Sequence, residues 1–95
     1  MTIYLGKTTI LILREVKDYQ TGSFVDADSH EIKIYDSAGT LVHSSSEPTK
    51  VDTGKYKFYF TPDSPGVAGE WYVDWDVTVG SSKDRKRAYF YVVDA

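Results

Sequence analysis

The eleven residues Gly69-Glu70-Trp71-Tyr72-Val73-Asp74-Trp75-Asp76-Val77-Thr78-Val79 alternate apolar and polar side chains almost without a break. A period of two belongs to an extended strand, because successive side chains leave a pleated backbone on opposite faces. Trp71, Val73, Trp75, Val77 and Val79 are therefore expected to face inward, and Glu70, Tyr72, Asp74, Asp76 and Thr78 outward, as in an antiparallel strand covered on one side. A helix would scatter the same apolar residues around its 3.6-residue turn. The remainder of the chain must supply a second layer over the two tryptophans, so a layered all-β fold is the expectation.

Gly80 to Asp84 reads as a turn, after which Arg85 to Val93 closes the sheet with Ala88, Phe90 and Val92 inward. Pairing at positions summing to about 163, from a turn centred near Ser81 and Ser82, sets Trp75 opposite Ala88 and Asp76 opposite Arg87. Upstream, Val51-Asp52-Thr53-Gly54-Lys55-Tyr56-Lys57-Phe58-Tyr59-Phe60 runs a D-x-G turn into another alternating strand, with Tyr56, Phe58 and Phe60 on one face. An Asp-x-Gly-x-Tyr turn of this kind can set a tyrosine at a corner between sheets, its hydroxyl bonded to upstream backbone. Asp52, Gly54 and Tyr56 are the expected structural corner.

Four further stretches complete the strand pattern. Thr2 to Leu5 is a short edge strand stopped at Gly6-Lys7. Thr8 to Val16, apolar on both parities through Ile10-Leu11-Ile12-Leu13, suits a central strand covered on both faces. His30 to Asp36 alternates with Ile32 and Ile34 inward and Lys33 and Tyr35 outward. Ser37-Ala38-Gly39-Thr40 turns the chain into Leu41-Val42-His43. Asp18 to Asp28 is a polar loop anchored by Phe24-Val25, Ser44 to Pro48 a crossing segment, and Thr61 to Gly66 a proline-rich loop. About seven strands, with turn signals every 8 to 12 positions, predict an immunoglobulin-like antiparallel β-sandwich of Greek-key connection, in one domain spanning residues 1–95.

Certain motifs carry a family resemblance. Gly6-Lys7-Thr8 before a strand, Ile32-x-Ile34-x-Asp36-x-x-Gly39-x-x-Val42, Asp52-x-Gly54-x-Tyr56-x-Phe58, Pro65-Gly66 and Gly69-Glu70-Trp71-Tyr72-Val73 together resemble the bacterial immunoglobulin-like modules that are similar to the second domain of alpha-macroglobulins. The resemblance spans nearly the whole chain and implies a spacer, assembly or recognition module without shared catalytic residues. Phe58 stands where an antibody-type domain has its second cysteine.

Composition narrows the function. The net charge of −3 argues against a nucleic-acid binder, which concentrates basic surface. The chain has no cysteine, which excludes a disulfide framework and thiolate metal sites. Met1 to Leu5 lacks a basic leader, and Ile10 to Leu13 is too short to span a bilayer, so a cytoplasmic or virion-associated protein without a signal peptide or membrane partner is expected. Asp18, Asp26, Asp28 and Glu31 lack the spacing and glycine of an EF-hand loop and read as solvated. His30 and His43 read as ordinary surface histidines, Ser44-Ser45-Ser46 as a linker, and no phosphate-cradling glycine motif occurs. No catalytic, cofactor or metal residues are assigned.

The remaining candidate is a surface. Tyr72, Asp74, Asp76, Arg87, Tyr89 and Tyr91 should stand on the outward face of the last two strands, bringing tyrosines together within a charged rim. Tyrosine and arginine are enriched in binding hot spots. The expected function is a non-catalytic structural or protein-interaction module, with a protein partner or self-association, in a setting such as an accessory component of a phage or provirus particle. The alternative is a carbohydrate-binding module that stacks sugars on Tyr72, Tyr89 and Tyr91.

Overall fold

In the computed structural model, which describes residues 2–6, 10–62 and 67–93, eight strands run through those residues. They are β1 (Thr2–Tyr4), β2 (Ile10–Glu15), β3 (Ser29–Tyr35), β4 (Leu41–Ser45), β5 (Thr49–Asp52), β6 (Lys55–Phe60), β7 (Gly69–Val79) and β8 (Ser82–Val93). A five-stranded sheet in the order β1-β8-β7-β3-β4 packs on a three-stranded sheet in the order β2-β6-β5. The protein is an all-β sandwich of two open sheets. The expected turn at Lys7 and Thr8, and the loop at Asp63 to Gly66 with its Pro65-Gly66 pair, lie outside the described residues.

The alternation of β7 organises the core. Trp71, Val73, Trp75 and Val77 are buried, and they pack with Ile32 and Ile34 of β3, Phe90 and Val92 of β8, and Tyr56 of the opposite sheet. Phe58 and Phe60 follow Tyr56 on the inner face of β6 and are partly buried against that cluster. Each fully buried aliphatic or aromatic side chain of this kind stabilises the fold by about 1.5–3 kcal/mol.

Four expectations about the strands are corrected. The β7–β8 register sums to 161 rather than 163: Trp75 stands opposite Lys86, Val73 opposite Ala88, Asp76 opposite Arg85 and Asp74 opposite Arg87. Gly80 adopts φ 60, and the two-residue turn it makes with Ser81 closes the hairpin early, Val79 pairing with Ser82. A positive φ at the first central position is what a type II′ turn requires of glycine. A two-residue slip leaves every side chain on its expected face.

The second correction concerns β2, which is an edge strand bonded only to β6 among the described residues. The expected cover on both faces also fails at Leu13, which is 61% exposed, because an apolar side chain does not by itself require burial and says nothing about a neighbour along the hydrogen-bonding direction. Third, β1 runs parallel to β8, so the sandwich is not wholly antiparallel. Fourth, the crossing segment expected from Ser44 to Pro48 is shorter, because Ser44 and Ser45 belong to β4 opposite Lys33 and Ile32, and a further strand, β5, follows it at Thr49–Asp52. This strand is exposed along its length and is held by backbone pairing to β6, with a bulge between Lys50 and Asp52, so no hydrophobic period announces it.

His30 is not a surface residue. It is partly buried between the sheets, where its Nδ1 accepts the Trp75 indole Nε1–H at 3.0 Å and its ring meets Tyr56 edge-on at 4.3 Å. That bond leaves the proton of the neutral ring on Nε2, which is enclosed and has no partner among the described residues. Burial, aided by the nearby Arg14 cation, holds the His30 pKa below its ordinary 6.5. The unfolded chain thus binds a proton near pH 6.5 that the folded chain refuses, and stability is complete above that pH and lost as pH falls below it. Urea unfolding at about pH 7.5 and about pH 5 is expected to show a lower midpoint in acid, with the difference reduced in His30→Gln. Equal midpoints for the parent at both pH values would contradict this placement of the ring.

Candidate interaction face

β3, β7 and β8 present one outer face, and their registers align it in rows. Glu31, Asp76 and Arg85 form one row, Lys33, Asp74 and Arg87 the next, and Tyr35, Tyr72 and Tyr89 the third. Carboxylates thus occupy the central strand with an arginine beside each on β8, Glu31 and Lys33 flank them on β3, and the charged rows end on an aromatic row.

The tyrosine row is a ladder of rings. Tyr35 stacks on Tyr72 with centroids 4.8 Å apart and planes 21° from parallel, and Tyr72 meets Tyr89 at 5.9 Å. The Arg87 guanidinium lies over the Tyr72 ring at 4.4 Å, a cation–π contact. Tyr89 and Tyr91 are 57% and 53% exposed. Tyr91 stands beside Glu70 on one side and Thr2 of β1 on the other, and exposed Tyr4 extends the aromatic surface along β1.

The charged rows are closed by fork-shaped pairs. Arg87 Nε and Nη2 donate to Asp74 Oδ1 and Oδ2 at 2.6 and 2.8 Å, and Arg85 makes the same fork to Asp76 at 2.7 and 3.0 Å. The bond from Arg85 holds the Asp76 carboxyl below the usual carboxylate range. Lys33 reaches Glu31 on its own strand at 2.7 Å, and that bond raises the Lys33 pKa. Two-point guanidinium–carboxylate geometry fixes orientation as well as charge, so the arginines are rigid parts of the face.

All six expected residues, Tyr72, Asp74, Asp76, Arg87, Tyr89 and Tyr91, thus share this face. Asp74 is 5% exposed beneath Arg87, so it positions the arginine and offers nothing to a partner. Tyr35, Lys33, Glu31 and Arg85 complete the rows and were not among the expected site residues. The outward parity of Lys33 and Tyr35 is legible in the sequence, and the missing signal was the register that sets β3 beside β7.

The expected corner lies elsewhere. Tyr56 is buried, and its hydroxyl accepts the Ala27 backbone N–H at 3.1 Å and lies 3.4 Å from Asp26 Oδ1. Asp26 Oδ1 also accepts Gly54 N–H at 3.0 Å, and Asp26 Oδ2 accepts Lys50 Nζ at 2.7 Å, the latter bond being the main cause of a lowered Asp26 pKa. Asp52 only caps Thr53 N–H at 2.8 Å within its own turn. The carboxylate that knits the corner is therefore Asp26, across the sandwich edge. Asp28 is likewise engaged, accepting Gly80 N–H at 2.6 Å. Among the described residues no three histidine or acidic side chains converge as a metal site would need.

The fold and this face define a small two-sheet sandwich with a flat, tyrosine-edged, ion-paired surface. No protein family, curated protein or solved structure matches the chain.

Proposed function

We propose that the protein is a non-catalytic interaction module of immunoglobulin-like Greek-key topology, related in kind to the macroglobulin-like modules that its sequence resembles, and that it engages a protein through the tyrosine end of the β3–β7–β8 face. The strand order supports the topology. β2-β6-β5 corresponds to the B-E-D sheet of such a sandwich and β8-β7-β3-β4 to G-F-C-C′, with β1 added beside β8.

The observation that carries the functional reading is the exposure of Tyr89 and Tyr91 on a strand whose other face is core. Large rings held in water on a rigid ladder gain area when a partner covers them, and they lose little conformational entropy in doing so. The carboxylates of the charged rows are already bound by arginine or lysine, which supports recognition over acid–base chemistry. Stacking of carbohydrate is less well served, because Tyr72 is engaged by Tyr35 and Arg87 and presents little free ring surface.

The Tyr89→Ala, Tyr91→Ala double variant tests this reading by sedimentation velocity over a concentration series. Self-association of the parent that disappears in the variant, with the far-ultraviolet spectrum unchanged, is the expected result. Unaltered assembly with a modest fall in melting temperature would make the tyrosines sheet reinforcement, worth roughly 0.2–1 kcal/mol for a cross-strand pair. Saturable binding of an oligosaccharide that is lost in the same variant would favour the carbohydrate reading.

A further inference from the structure

The tyrosine row can carry chemistry as well as contact. The chain has no cysteine, its one methionine is residue 1, and both tryptophans are buried. Sulfur side chains are common targets of oxidants, and with them nearly absent an oxidant that removes single electrons meets tyrosine instead. The sequence has eight tyrosines, and among the described residues Tyr35 with Tyr72 and Tyr72 with Tyr89 are the tyrosine pairs in ring contact.

The two contacts differ in geometry. Tyr35 and Tyr72 are direct partners across the β3–β7 ladder, with ring centroids 4.8 Å apart and planes 21° from parallel. Tyr72 and Tyr89 are partners across β7–β8, with centroids 5.9 Å apart and planes tilted by 52°. Neutral aromatic rings pack favourably in either way, so stability does not separate the pairs. Reactivity does. A phenol that loses an electron and its hydroxyl proton shares the unpaired electron between its oxygen and the ring carbons ortho and para to it. In tyrosine the para carbon bears the side chain, so coupling falls to an ortho carbon, through a lobe perpendicular to the ring plane. Two such lobes meet when the rings overlap face to face, as Tyr35 and Tyr72 do and Tyr89 does not.

The surroundings hold this overlap in place. Ladder bonds fix the spacing of β3 and β7, and Ile34 and Val73, the neighbours of the two tyrosines, are buried in the core. The Arg87 guanidinium, itself forked on Asp74, lies over the Tyr72 ring at 4.4 Å. A cation there opposes a positively charged ring, so oxidation of Tyr72 releases the hydroxyl proton to water and leaves a neutral phenoxyl radical. Both rings are partly exposed and can be reached from the outer face.

We propose that Tyr35 and Tyr72 form an oxidative cross-linking site, at which hydrogen peroxide acting through a peroxidase joins β3 to β7 by a carbon–carbon bond between ring carbons ortho to the hydroxyls. Each tyrosine gives up one electron and one proton, and the peroxide takes both electrons and both protons to become two waters. The unpaired electrons of the two phenoxyl radicals pair in the new bond. Each coupled carbon then loses its hydrogen as a proton while the ring oxygen takes one up, which restores both phenols. The product is two hydrogen atoms lighter than the parent and closes the chain between β3 and β7 in a protein without cysteine. Closing a long loop in this way restricts the unfolded chain, as a disulfide does. The inference needs only the ring geometry and does not rest on partner binding.

The test exposes the whole protein, dilute, to limiting hydrogen peroxide and a haem peptide with peroxidase activity. The monomer fraction should gain dityrosine fluorescence, lose the mass of two hydrogen atoms, and release on trypsin digestion a linked pair of peptides, one holding Tyr35 and the other Tyr72. The yield of this monomeric product should not change on further dilution, and the product should unfold at a higher urea concentration than the parent. Tyr35→Phe and Tyr72→Phe each keep an aromatic ring in the row and should keep the folded spectrum, yet each should abolish the product. Tyr89→Ala with Tyr91→Ala should still form it, so failure of partner binding through those tyrosines and failure of the cross-link are told apart. Absence of dityrosine, dityrosine found only between chains, an intrachain link from Tyr72 to Tyr89, or an undiminished monomeric product in Tyr35→Phe would overturn the proposal.

Discussion

Replacing Trp75 with alanine is expected to destabilise the protein by about 3–5 kcal/mol, the range for truncating a large buried aromatic residue. The indole is 1% exposed, on the strand that lies between β3 and β8 in the larger sheet. Two losses combine. The cavity cannot be filled by Ile32, its neighbour on β3, without moving the sheet, because ladder bonds fix the strand spacing. The His30 ring loses the donor to its Nδ1, and its enclosed Nε2 already has no partner among the described residues. Urea unfolding measures the effect, and a loss below about 1 kcal/mol would mean that the ring is not core.

Gly54→Ala is expected to cost about 2–5 kcal/mol although it adds one methyl group. Gly54 sits at φ +69, where an L side chain costs about 1–2 kcal/mol. A Cβ there would stand 2.6 Å from Val16 O and 2.9 Å from both the Phe24 side chain and Val25 O. Two of those contacts are backbone, so relief requires moving the chain, at about 1–3 kcal/mol for an overpacked site. The same segment carries the bonds from Gly54 N–H to Asp26 and from Ala27 N–H to Tyr56, so the damage should reach the corner. Gly22→Ala is the control: φ is similar at +73, but nothing lies within 4 Å of the added carbon, so only the conformational part should appear. Equal losses at the two glycines would contradict the close approach at Gly54.

The parts of this fold legible in the sequence are those written as side-chain period. Trp71, Val73, Trp75 and Val77 could face only one way once Glu70, Tyr72, Asp74 and Asp76 alternated with them, and Tyr56 after Asp52-x-Gly54 announced a buried ring. What the period does not encode is position along or beside a strand. Asp76 pairs with Arg85 rather than Arg87 because a slip of two residues changes no side chain's face, and only the conformation of Gly80 selects between the registers. Tyr35 joins Tyr72 and Tyr89 for the same reason, since its outward parity is visible but its neighbour is set by long-range pairing. β2 reads as central and covered on both faces from Ile10 to Leu13, yet among the described residues it is an edge with Leu13 exposed, because apolar composition fixes neither the cover of a face nor the occupancy of the bonding direction. Asp26 was missed at the corner because a carboxylate that accepts distant backbone and lysine groups looks, in sequence, like any other loop acid.

Register is what turns scattered tyrosines and charges into one face, and nuclear magnetic resonance reads it directly. The two-residue turn makes Val79 and Ser82 a hydrogen-bonded pair, so alternation makes Tyr72 and Tyr89, Asp74 and Arg87, and Asp76 and Arg85 the close non-bonded pairs, with Cα atoms about 4.5 Å apart. Strong Hα–Hα Overhauser contacts within those three pairs are the predicted result. Contacts between Tyr72 and Tyr91 and between Asp76 and Arg87 would shift β8 by two residues, separate Tyr89 from the tyrosine row and contradict the assembled face.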